Sequence, residues 1–343
     1  MFGIFLLLLL GLGWLAVRFG PAPLAHPGLH AVNELRQVEL GGRRQWISIR
    51  GSNARNPVLL FLHGGPGSAN LAKLRIQCPD LEEHFVVVTW DQRGAGKTFT
   101  LRLSEEHLTI GQLLSDTHQL AHYLRNRFSG KIYLLGFSWG TVLGLRTALD
   151  HPEDIQAYIA VGQIVDAAAG EWISLEYARK TARERGNQKA ADELRAIDPL
   201  YRGPSAQAEL AKERSWLLKF GGVYRHADSY GHEVRMLFQA PEYSLLDSTW
   251  WPVGSSLSLG TLWPEVMEVH FKESAPAVDV PAYFLAGRYD YNTPAELVWE
   301  YYQALVAPKG KQFVWFEDSA HDIFFDQPQE LVKELVKIKE GGS

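Results

Sequence analysis

The chain has 343 residues, 46% of them apolar and 21% charged. Such a composition buries a large core and excludes a chain disordered throughout. Lys plus Arg number 34 and Asp plus Glu 39, a net charge of −5 with neutral histidine, so the basic footprint of a nucleic-acid-binding protein is missing. The single cysteine, Cys78, excludes an intramolecular disulfide and a cysteine-based zinc site.

Residues 1–17 carry no charged side chain, and Arg18 ends the run. Seventeen helical residues span about 25 Å, slightly short of a bilayer core of about 30 Å. A membrane anchor is the favoured reading of residues 1–20. A signal peptide would normally carry a basic start and a clear cleavage site. A buried or interfacial helix is the third reading. The expectation is a membrane protein with a single N-terminal anchor, its side undecided, or a secreted or periplasmic one if the segment is cleaved. Residues 21–27 hold three prolines and read as a stiff linker.

Residues 35–40 and 45–50, flanking Gly41-Gly42, predict a hairpin. Apolar runs follow at 58–62, 85–90, 132–135, 155–161, 282–286 and 313–316. Runs without alternation predict strands buried on both faces, hence parallel and flanked by helices. Helical stretches at 110–127, 141–149, 294–305 and 329–339 separate several of them. This is the rhythm of a mostly parallel, doubly wound α/β sheet. Between residues 166 and 275 the rhythm stops, and charged helical stretches at 171–185 and 207–220 precede a Gly-, Ser- and Trp-rich piece at 245–263. The expected organisation is a core of residues 28–165 and 276–343 with a helical cap, 166–275, inserted between.

Gly136-Phe137-Ser138-Trp139-Gly140 lies between the strand at 132–135 and the helix at 141–149. That is the strand–turn–helix setting of a nucleophile elbow, which holds a serine hydroxyl above the sheet. The Trp139 N–H, at the helix start, can face a developing oxyanion. His63-Gly64-Gly65-Pro66-Gly67 follows the strand at 58–62. Its glycines let the backbone approach a ligand, so Gly64 or Gly65 supplies a second donor, while His63 reads as structural. A serine nucleophile needs a base, and the base an orienting acid. Asp290 follows the strand at 282–286 and His321 the strand at 313–316. The order Ser138, Asp290, His321 is that of α/β-hydrolases. Asp166 is the rival acid and His270 the rival base.

These residues closely resemble the proline iminopeptidases, peptidase family S33 of the α/β-hydrolase fold. The matching pieces are HGGPG at 63–67, WDQRG at 90–94, GFSWG at 136–140, GRYD at 287–290 with Thr293-Pro294, and His321. The resemblance implies Ser138 as nucleophile, Asp290 as orienting acid, His321 as base, Gly64, Gly65 and Trp139 at the oxyanion hole, and Asp91–Gly94 as a structural brace. Phe137 departs from the family's Gly-Gly-Ser-Trp-Gly. Aminopeptidases of the family hold the substrate amine with cap acids. Here Glu171, Glu176, Glu193, Glu213, Glu233 and Glu242 are available, with Glu213 the first candidate.

The expected activity is acyl transfer on a small molecule or short peptide, with no metal or organic cofactor implied. An aminopeptidase releasing N-terminal residues is favoured over a carboxylesterase or amidase for small apolar substrates. A non-catalytic binding protein of the same fold is the remote alternative. Haloalkane dehalogenase and epoxide hydrolase chemistry is disfavoured because the elbow holds Ser138 and not aspartate.

Overall fold

In the computed structural model, which describes residues 21–100, 108–203 and 205–341, the apolar runs form one eight-stranded sheet. The strands are β1 (Val32–Leu40), β2 (Arg43–Gly51), β3 (Val58–Leu62), β4 (Val86–Trp90), β5 (Ile132–Phe137), β6 (Ile155–Val161), β7 (Ala282–Gly287) and β8 (Lys311–Phe316). Their order across the sheet is β1-β2-β4-β3-β5-β6-β7-β8. β1 and β2 form the expected hairpin, and β2 joins β4 antiparallel. From β4 to β8 every pairing is parallel.

β3 shows why these strands lack alternation. Leu60 and Leu62 pack into the cluster on one face, Leu59 and Phe61 into the cluster on the other. Full burial of a large apolar side chain is worth about 2 kcal/mol, so this strand contributes on the order of 10 kcal/mol before its ordering entropy is charged.

The helices are α1 (Lys73–Gln77), α2 (Leu81–His84), α3 (Ile110–Phe128), α4 (Trp139–Asp150), α5 (Ala167–Glu184), α6 (Gln188–Arg195), α7 (Ala206–Lys219), α8 (Gly231–Gln239), α9 (Leu245–Val266), α10 (Phe271–Ser274), α11 (Ala295–Ala304), α12 (Ile323–Asp326) and α13 (Pro328–Lys339). α5 to α10 lie between β6 and β7 in the chain.

α9 falls within the helical cap expected at residues 166–275, although its Gly and Ser are poor helix formers. An internal proline costs a helix about 3 kcal/mol, and α9 contains Pro252 and Pro264. Tertiary contacts override that cost. Ser244 and Asp247 form a reciprocal capping box. The Trp251 indole donates to the Ala69 carbonyl at 2.7 Å and the Ser258 hydroxyl to Gly94 O at 3.2 Å. The helix is thus clamped to the loops beyond β3 and β4.

The expected membrane location is corrected. Residues 1–20, on which the anchor or signal helix rested, lie outside the described residues. Among the described residues no helix is long and apolar enough to cross a membrane. Even α9, with 22 residues, carries Asp247, Glu265 and two internal prolines.

Candidate active site

The chain runs from β3 to β4 on one side, then crosses to β5 on the other. β3 is therefore where the strand order reverses, and the crevice beyond its carboxyl end is where such sheets bind ligands. Leu62 stands in register with Gly136, so the His63–Gly67 loop and the Ser138 turn emerge side by side.

Ser138 adopts φ 53° and ψ −119° between β5 and α4. A non-glycine residue there is strained, and the surroundings must enforce it. The Ser138 N–H donates to Val161 O at 2.9 Å, and Ser138 O accepts from Thr141 N at 2.8 Å and Thr141 Oγ1 at 2.6 Å. The close packing of α4 explains Gly140, since a Cβ there would fall 2.0 Å from Leu62 O. Trp139 is the first residue of α4, so its N–H has no intrahelical acceptor.

The loop after β3 is braced from β4. His63 Nδ1 lies 2.7 Å from Gly64 O, and His63 Nε2 accepts from Gln92 N at 3.3 Å. Burial pushes the His63 pKa down to about 4, so the ring is neutral, with the proton on Nδ1. The Gln92 carboxamide also accepts from the Trp139 indole at 3.0 Å. Gln92 thereby ties the glycine loop to the serine turn. Arg93 grips Asp116 through Nε at 2.8 Å and Nη2 at 3.0 Å. Asp91 accepts from Lys97 N at 2.6 Å and from the Tyr243 hydroxyl at 2.9 Å. The 91–94 segment is a brace, as the sequence suggested.

Asp290 and His321 meet beyond β7 and β8. Asp290 Oδ2 lies 2.9 Å from His321 Nδ1. The same carboxylate accepts from Thr293 Oγ1 at 2.8 Å, Thr293 N at 2.8 Å and Asn292 N at 2.9 Å. Held this way, Asp290 places the imidazole proton on Nδ1 and leaves Nε2 as the basic atom. The imidazole lies over the end of β6, where Gly162 has φ +62° and a Cβ would fall 2.9 Å from His321 Cε1. The ring also sits against Phe137, with centroids 5.0 Å apart. Ser138 and His321 line one cavity of about 520 Å³, to which Gly64 and Gly65 also contribute. Among the described residues no hydrogen bond joins the Ser138 hydroxyl to the ring. Such contacts are often long before substrate binds. The rivals Asp166 and His270 pair with each other at 3.1 Å instead. Asp166 caps α5, and His270 stands outside the cavity lining.

The cavity roof is apolar over Leu237, Trp251, Leu259 and Trp263, but Glu171 and Glu233 also face it. Glu213, the first candidate for an amine-binding acid, does not face it. It is fully buried and accepts from Ser174 Oγ at 2.8 Å and from Arg214. Arg214 bridges Glu213 to Glu171. Only one oxygen of Glu171 is used, and its Oε2 is buried without a hydrogen-bond partner. Burial raises the Glu171 pKa to about 7, against the opposing charge of Arg214. Glu233 is engaged differently. Lys73 Nζ lies 2.7 Å from Glu233 and 2.6 Å from Asp322, the residue after His321. Burial works against the Lys73 charge, but the two carboxylates outweigh it and hold the ammonium protonated.

Sequence reasoning missed the roles of Gly162, Lys73 and Thr293. Thr293 carried a signal, since a threonine three residues after an aspartate can close a side-chain turn. Lys73 and Gly162 carried none.

A family model for the alpha/beta hydrolase fold matches residues 57–328. A probable aminopeptidase of Bacillus subtilis (strain 168) is 31% identical, over 88% of this chain and 95% of the relative. A proline iminopeptidase of Heyndrickxia coagulans is 26% identical, over 85% of this chain and 93% of the relative. The crystal structure of a proline iminopeptidase from Mycobacterium smegmatis aligns with a TM-score of 0.62 at 16% identity, covering 90% of this chain and 98% of that one. At that identity the last likeness speaks for the fold alone.

Proposed function

Because the chain belongs to the α/β-hydrolase fold family, we propose that it is a serine hydrolase releasing N-terminal residues from short peptides through an acyl-enzyme on Ser138. His321 Nε2 takes the hydroxyl proton as Ser138 Oγ attacks the scissile carbonyl. Asp290 holds the imidazole by Nδ1 and stabilises its cation. The N–H groups of Trp139 and of Gly64 or Gly65 receive the oxyanion, each worth about 3 kcal/mol of barrier. The imidazolium then gives its proton to the leaving amine. Water, deprotonated by the same ring, cleaves the ester and restores Ser138. Residues 166–275 act as the cap that closes the pocket.

Glu171 carries the aminopeptidase reading over the esterase one. An ester pocket gains nothing from a buried carboxylate with a spare oxygen, since leaving such an atom unpaired costs about 1–3 kcal/mol. A substrate ammonium would pair with Oε2. The names of the two relatives agree with this reading.

Two measurements test it. Fluorophosphonate labelling should be lost in Ser138→Ala. A proline arylamide should turn over only with its amine free, and short aryl esters should turn over less well. Turnover of esters alone, or indifference to acetylation of the amine, would overturn the peptidase reading and leave an esterase. Failure of labelling in the parent chain would overturn the hydrolase itself.

A further inference from the structure

Three histidines meet a buried carboxylate at the other end of the sheet. His118 and His122 stand one helical turn apart on α3, so both project from one face. His151 caps the carboxyl end of α4, and Asp154 immediately precedes β6. Ser138 opens α4, and 12 helical residues span about 18 Å, so this cluster is remote from the cavity.

Asp154 is the centre of the cluster. Its side chain is 1% exposed, and Oδ1 accepts from Arg125 Nη1 at 2.5 Å. Its Oδ2 is buried and has no hydrogen-bond partner. That oxygen points at two imidazoles, 3.6 Å from His118 Nε2 and 3.5 Å from His122 Nδ1. These separations are too long for hydrogen bonds. They match a different geometry: in a tetrahedral zinc site with bonds of about 2.0–2.1 Å, ligand atoms lie about 3.4 Å apart. The three atoms all fall within 4.8 Å of one another.

We propose that His118 Nε2, His122 Nδ1 and Asp154 Oδ2 bind a divalent transition-metal ion of the zinc type. Two imidazole nitrogens and one carboxylate oxygen suit Zn²⁺, Ni²⁺ or Cu²⁺ and not the all-oxygen preference of Ca²⁺ or Mg²⁺. Arg125 orients the carboxylate from its other oxygen, the kind of outer contact that metal ligands use. The His151 ring stacks on His118 at 3.3 Å between centroids, nearly parallel, and fixes the plane of that ligand. Solvent fills the remaining position, because His122 is 56% exposed. The bound ion would join α3 to the turn between α4 and β6. Of the two other groups of comparable donors among the described residues, His118, His151 and Glu153 share His118 with this site and offer only an exposed carboxylate, and His232, Glu233 and Asp322 are unsuited because Lys73 Nζ already lies between the two carboxylates.

The experiment is isothermal titration of the untagged full chain with zinc chloride, alongside thermal melting with and without the metal. The expected result is a single zinc ion per chain and a higher melting temperature. His122→Ala should weaken binding by ~10-fold or more and abolish the thermal shift, whereas His232→Ala should leave both unchanged. Asp154→Asn should do as His122→Ala does; if it unfolds the chain by stripping Arg125 of its partner, the exposed His122 still decides. Cobalt substitution should give the visible bands of a tetrahedral site, lost in His122→Ala. No zinc binding by the parent chain, binding indifferent to His122→Ala, or binding lost in His232→Ala would each overturn the site.

Discussion

The Thr293 hydroxyl donates to Asp290 Oδ2 and lies 3.1 Å from His321 Nδ1. It helps to hold the carboxylate against the ring, from a position that also lines the cavity. Thr293→Val removes that donor while three others to Asp290 remain. A hydrogen bond to a charged group is worth about 1.5 kcal/mol or more, so kcat/KM should fall roughly tenfold, with little change in melting temperature. Gly162→Ala should be harsher. It combines a positive φ with a Cβ 2.9 Å from both His321 Cε1 and Thr293 Oγ1. The expected cost is about 1–3 kcal/mol of stability, read by denaturant unfolding, together with displacement of the imidazole and a larger loss of rate. On the proposed aminopeptidase reading, Glu171 sets a pH dependence. It holds an ammonium only as a carboxylate, and burial has moved its pKa up to about 7. Below that pH it is neutral and the amine contact is lost. The ratio of kcat/KM for a free-amine substrate to that for an amine-free ester should rise as pH passes about 7. It should fall again as the α-amino group deprotonates, near pH ~8. In Glu171→Gln the rising limb should vanish and the ratio should drop about tenfold to a hundredfold, the worth of a charge-assisted hydrogen bond.

Lys73 links three elements: α1, the loop leading into α12, and the insert helix α8 through Glu233. Glu233→Gln keeps the Asp322 contact and weakens only the link to α8. Hydrogen exchange in α8 should quicken by roughly tenfold while β3 to β7 stay protected, as expected for a local opening. Faster exchange across the sheet would instead make Glu233 a global support. The elements most legible in the sequence were those whose apolar pattern has one physical cause. β6 runs over residues 155–161 as its apolar run predicted, because both its faces are buried. The bounds of α9 were not legible within the expected helical cap, because they are set by a capping box and by contacts to Ala69 and Gly94 that lie far away in the chain. The site divides similarly. Ser138, Asp290 and His321 stand in strand-following loops that motifs announce. Glu171 and Glu213 are two acids on helical faces, and nothing in a single helix says which face roofs a cavity. Only the packing of α5 against α7 turns Glu171 toward the cavity and buries Glu213 behind it.

Seen whole, the molecule carries Ser138, Asp290 and His321 on loops of the sheet, whereas Glu171 and the apolar roof of the cavity come from the insert. The insert leaves and rejoins the sheet at nearly one point. Ala167 N donates to Val269 O at 3.0 Å, and Phe271 N donates to Val165 O at 2.7 Å. Asp166 and His270 face each other in a short antiparallel bridge. β6 and β7 are therefore paired regardless of what residues 168–268 do. Everything beyond this isthmus can lengthen, shorten or change its lining while the spacing of Ser138 to His321 is preserved.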